Sequence, residues 1–167
     1  MLKFERASDL NTPQGAFISW LLSPKSARDV HDWARFMGVR DITPPEEMHS
    51  TIIYSPDGYL DSDLHGDRPL PMPIAFSHLN RPRTRIFGQP GTDGCLVTTY
   101  DSDQMMARHR FFRDTFGLTS NFPVHIPHVT LSYNAQLQDP RVIQRLTECP
   151  CGIPLTFDRE RITYPDP

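Results

Sequence analysis

The spacing of apolar and polar residues changes several times along the chain, and each change marks an element. Residues 16 to 22, Ala-Phe-Ile-Ser-Trp-Leu-Leu, are rich in aromatic and branched side chains and bounded by Gly15 and Ser23-Pro24, as in a buried strand. Ser23-Pro24 then opens a helix, because proline fits the first helical turn. Ala27, Val30, Ala34 and Met37 recur at helical spacing, with Trp33 alongside, until Gly38 stops it. After Pro44-Pro45, His49 to Ser55 reads as a short strand whose alternate positions His49, Thr51 and Ile53 share a face. Residues 57 to 73 hold no period and read as a surface excursion, and strand-like runs resume at 74–79, 83–87 and 95–100.

A second helix starts at Asp101 or Ser102, carries Met105, His109, Phe112 and Phe116 on one face, and ends at Gly117. His128 to Asn134 is another short strand. Asp139-Pro140 opens a helix with Val142, Ile143 and Leu146, closed by Cys149-Pro150, and residues 153 to 164 finish the chain as strand. The order is that of an α+β protein with helices covering sheet, and one domain over 1–167 suits the length.

The two short strands are copies of one another. His49-Ser-Thr-Ile-Ile-Tyr54-Ser55 and His128-Val-Thr-Leu-Ser-Tyr133-Asn134 align without gaps, and each follows a helix and a proline-containing turn. A duplicated helix-loop-strand unit related by an approximate twofold would set two histidines across one cleft. A single His-x-Thr is an ordinary pair of sheet residues, but an in-register duplicate is not.

Phosphodiester cleavage needs a base for the attacking oxygen, an acid for the leaving oxygen and donors for the phosphoryl oxygens. Two histidines and two threonines supply all three, since imidazole exchanges protons near neutral pH. Strand parity puts Tyr54 and Tyr133 on the opposite face, as packing residues.

Composition narrows the substrate. A formal charge of -3 gives no field for long nucleic acid, so the expected ligand is small and locally held. Three cysteines, two of them one residue apart at Cys149 and Cys151, suit a reducing cytoplasm. No stretch approaches the roughly 18 apolar residues of a membrane span, and the charged start Met1-Leu2-Lys3-Phe4-Glu5-Arg6 lacks a leader's apolar run. No metal or cofactor is expected: Asp61-x-Asp63-x-His65 lacks the glutamate of a calcium loop, with Met72 in its place, and Cys149-Pro-Cys151 lacks zinc-ligand spacing. Arg81, Arg83 and Arg85 alternate on one strand face, where they either meet phosphate or decorate an edge. His125 either lines the cleft or sits in a turn.

The paired H-x-T-h motifs, half a chain apart, resemble those of the 2H phosphoesterase superfamily. Gly15-Ala-Phe-Ile-Ser-Trp20, the Trp33 helix and the sequence around His49 are similar to the viral anti-CBASS phosphodiesterases. The resemblance implies a 2H phosphoesterase (LigT-like) fold, with two pseudo-symmetric antiparallel sheet lobes flanked by helices around a central cleft. It implies catalytic roles for His49, Thr51, His128 and Thr130. It also implies base-holding roles for Phe17, which stands where relatives carry tyrosine, for Glu160, and for Tyr164 as the aromatic nearest to an expected tryptophan. The implied substrate is a cyclic di- or trinucleotide immune messenger in the host cytoplasm, opened by attack of a 2'-hydroxyl. A 2',3'-cyclic phosphodiesterase acting on RNA ends and a non-catalytic cyclic-nucleotide sponge are the alternatives, and self-association is left open.

Overall fold

The computed structural model describes residues 15–88, 93–120, 122 and 124–165, so the first residues, on which the leader was judged, lie outside it. Strand β1, Ala16–Leu22, leads into helix α1, Pro24–Met37. The Ser23 hydroxyl accepts from the Ser26 N–H at 3.3 Å, and Gly38 takes the left-handed conformation (φ +90) that lets Gly38 and Val39 donate to the last carbonyls of the helix. Strand β2 is His49–Ser55, β3 Gly66–Phe76, β4 Arg83–Phe87 and β5 Cys95–Thr99. Helix α2, Asp103–Phe116, is capped by Ser102 rather than Asp101. Strand β6, His128–Ser132, helix α3, Pro140–Glu148, and strand β7, Leu155–Thr163, complete the order.

Two antiparallel sheets result, one in the order β2-β1-β7-β3 and the other β4-β5-β6. This is the expected two-lobed α+β architecture. The core is continuous between the lobes: Ile18, Ile52 and Phe157 of the first sheet and Leu96 and Leu131 of the second belong to one buried cluster with Met105 and Phe112 of α2.

Two sequence expectations need correction. The supposed excursion over 57 to 73 is strand from Gly66 onward. Its Pro69, Pro71 and Pro73 are tolerated because β3 is an edge strand, and the pairing with β7 skips register between Pro69 and Ile74. Arg81 lies outside β4 in a left-handed turn (φ +49), 3.9 Å from Asp101, so only Arg83 and Arg85 alternate along that strand.

Candidate active site

Each motif begins a strand at the inner edge of its sheet. The two edges meet: the buried Ser50 hydroxyl, between His49 and Thr51, accepts from the backbone N–H of His128 at 3.3 Å and donates to the Met105 sulfur at 3.2 Å. Thr43, on the approach to β2, donates its N–H to the Leu131 carbonyl of β6 at 2.8 Å. The four motif residues therefore converge where the lobes join.

Both imidazoles are held in the same way. His49 Nδ1 lies 2.6 Å from the Glu47 carbonyl and His128 Nδ1 lies 2.7 Å from the Ile126 carbonyl, each two residues back. A carbonyl only accepts, so each Nδ1 carries the hydrogen, and each Nε2 is left without a hydrogen as the ring atom able to accept one. Burial pushes both imidazoles below their ordinary range. At His49 the Glu47 carbonyl opposes this and the Arg161 charge adds to it; at His128 the Ile126 carbonyl opposes and His49 adds. The charge of His49 bears on His128, so the two rings lie near enough to act on one another.

The repeat extends into backbone detail that a pattern of alternation does not contain. Ser19 pairs with Thr51 but Ile18 with Ile53, which leaves Ile52 as an extra residue in β2. Val97 pairs with Thr130 but Leu96 with Ser132, which leaves Leu131 as the extra residue in β6. Both copies thus bulge at the residue after the threonine. Full burial of Ile52 and Leu131 is worth about 1.5–3 kcal/mol each, more than the roughly 0.5–1.5 kcal/mol of a disturbed ladder bond.

A bulge shifts parity, so the tyrosines come to the motif face, contrary to the sequence expectation. Phe17 pairs with Tyr54, and its ring lies 6.2 Å from that of Tyr54 and 5.5 Å, edge-on, from that of His49. Tyr133 lies beside the Thr130 hydroxyl; burial, then Cys95, pushes its phenol up. Phe87 packs edge-on against His128 at 4.9 Å, the counterpart of Phe17 on His49. The in-register repetition of the tyrosines was the available signal; Phe87 had none.

The base-holding residues expected from the resemblance divide. Phe17 is half-buried against His49. Glu160 is not brought to the motif face: it pairs with Trp20 on the opposite, core side of the sheet and is 5% exposed. Its carboxylate accepts from Trp20 Nε1 at 3.0 Å and from the Arg108 guanidinium at 2.8 and 2.6 Å, which fills it. Alternation, unbroken between them, turns Arg159 and Arg161 to the motif face instead. Tyr164 packs on His65 at 4.0 Å between ring centres. His125 stacks on His109 at 4.4 Å, and burial, followed by the charges of His109 and His128, pushes it down to about 4. The Asp61 side chain caps its own short turn by accepting from the Asp63 N–H.

Two sheets, each bringing one H-x-T motif to a common junction, form the two-lobed fold of the 2H phosphoesterases. A sequence profile of the family described as Anti-CBASS protein Acb1 matches residues 14–163, and the chain belongs to that family. The Anti-CBASS protein Acb1 of Salmonella phage S16 is 27% identical over 162 residues, covering 96% of this chain and 91% of the relative. That of Yersinia phage phiR1-RT is 28% identical over 134 residues, covering 80% and 78%. The solved structure of TT0787 of Thermus thermophilus shares the fold with a TM-score of 0.50 at 14% identity, over 90% of this chain and 84% of that one.

Proposed function

We propose that the protein is a metal-independent phosphodiesterase that opens cyclic di- and trinucleotide messengers and so blocks CBASS defence in the cytoplasm of a phage-infected host. The observation that carries the reading is the pair of histidines, each with Nδ1 held by a carbonyl two residues back and each followed two residues on by a threonine. Membership of a family named for its anti-CBASS role supports the biological setting.

In the first step one imidazole takes the proton of a ribose 2'-hydroxyl as its oxygen attacks the adjacent phosphorus. The second imidazole, protonated, delivers its proton to the departing 5'-oxygen, and the Thr51 and Thr130 hydroxyls donate to the nonbridging oxygens. The ring opens to a 2',3'-cyclic phosphate and a 5'-hydroxyl. Attack by water with the roles of the histidines exchanged completes hydrolysis. Phe17 and the two tyrosines offer ring faces for the bases.

The test is a panel of cyclic di- and trinucleotides and a 2',3'-cyclic-phosphate-ended RNA, incubated with EDTA beside His49→Ala and His128→Ala variants. Ring opening that survives EDTA and falls at least about 100-fold in each variant is expected. Turnover of the RNA end alone would instead make the protein an RNA-end phosphodiesterase. Tight binding of a ring without cleavage would make it a sponge.

A further inference from the structure

The twofold relation between the lobes reaches one strand beyond the motifs. In the first lobe β1 lies between β2 and β7: Leu21 pairs with both His49 and Arg159, and Ser19 with both Thr51 and Arg161. In the second lobe β5 lies between β6 and β4: Thr99 pairs with both His128 and Arg83, and Val97 with both Thr130 and Arg85. Residues directly opposite one another share a sheet face. Each His-x-Thr is therefore matched by an Arg-x-Arg on its own face, about 10 Å away at the usual strand spacing.

The two arginine pairs differ in charge balance. Arg161 makes a two-pronged bond to Asp67 at 2.6 and 2.8 Å, and Arg159 lies 3.1 Å from Asp158 and 3.9 Å from Asp67. Among the described residues no carboxylate lies within 4.0 Å of Arg83 or Arg85. These two line a cavity of about 480 Å³ together with Thr99, His125 and Pro127; Asp101, the partner of Arg81, and Asp103 stand on its wall. A planar guanidinium presents paired donors that match two phosphate oxygens, and only the second-lobe pair has them uncommitted to an acid.

We infer that Arg83 and Arg85 hold a phosphodiester of the substrate other than the one being cut. This rests on the cyclic-oligonucleotide reading above. A ring of nucleotides carries one phosphodiester per nucleotide, so seating one of them between the histidines leaves at least one more to be neutralised nearby. The neutralised first-lobe pair offers no such site, so the ring leans toward the second lobe.

The test compares wild type with an Arg83→Gln/Arg85→Gln double variant on a cyclic dinucleotide, which has two phosphodiesters, and on a linear dinucleoside monophosphate, which has one. The inference predicts that KM for the ring rises on the order of 10- to 100-fold, that kcat changes by less than about threefold, and that kcat/KM for the linear substrate is unchanged. The Arg83→Lys/Arg85→Lys variant should recover part of the loss, since it keeps the charge. Equal losses on both substrates, or none on either, would overturn the inference. Equilibrium binding of the cyclic dinucleotide to His49→Ala, with and without the arginine changes, separates this from the parent reading. Binding weakened by the arginine changes supports the subsite even if wild type cleaves nothing, an outcome that sinks only the proposed hydrolysis. Absence of any binding removes both.

Discussion

At the scale of single residues the decisive feature is how each imidazole is tied to its own chain. A carbonyl at 2.6 or 2.7 Å fixes the tautomer without supplying a counter-charge, and burial then outweighs it and lowers both histidines. The proposed mechanism needs one neutral and the other protonated in the free protein. The bell of kcat/KM against pH should therefore lie on the acid side of the ordinary imidazole value of about 6.5. A bound phosphodiester anion favours both imidazolium forms, so the bell for kcat should sit at higher pH than that for kcat/KM; coincident bells would contradict this account. Glu160 makes the opposite case. With its carboxylate filled by Trp20 and Arg108 on the core side, Glu160→Ala should lower unfolding stability by about 3 kcal/mol, as loss of one partner of a buried ion pair does. KM should be left nearly unchanged, and denaturant melts beside steady-state kinetics separate the two effects.

At the scale of elements, the β-bulges carry the site beyond its two motifs. Ile52 and Leu131 are buried completely, and the bulges they anchor bring Tyr54 and Tyr133 to the motif face. Leu131→Ala should cost about 2–5 kcal/mol and, by loosening the bulge, weaken substrate binding more than an equally destabilising Leu146→Ala in α3. Equal effects on KM would mean that the bulge does not position Tyr133. The helices were legible because capping chemistry is local: Ser23, Gly38, Ser102, Gly117 and Asp139 act within a few residues of themselves. β3 was not legible, because its prolines argue against a strand unless the strand is known to lie at an edge, and that is a property of the sheet.

At the scale of the whole molecule, the two lobes meet over their histidines, and that junction is also where acid should attack the fold. His125 is pushed down to about 4 in the folded protein, against an ordinary value near 6.5, so between these limits the unfolded chain binds a proton that the folded one does not. Its contribution is intact above 6.5 and is lost as pH falls toward 4; the lowered His49 and His128 act in the same direction. Thermal melts between about pH 7 and about pH 4 should show a smaller drop for His125→Gln than for wild type, and an equal drop would assign the acid sensitivity elsewhere. By itself the sequence determined the repeat, the four motif residues, the three helices and the family resemblance, because each rests on local chemistry or on self-similarity. Only the tertiary structure decided that Glu160 is a core residue while Arg159 and Arg161 beside it face the motifs. It alone decided that the tyrosines come to the motif face and that Arg83 and Arg85 mirror an arginine pair more than seventy residues away. Those outcomes depend on bulges, register and which strands become neighbours, and register is settled by contacts between segments distant in the chain.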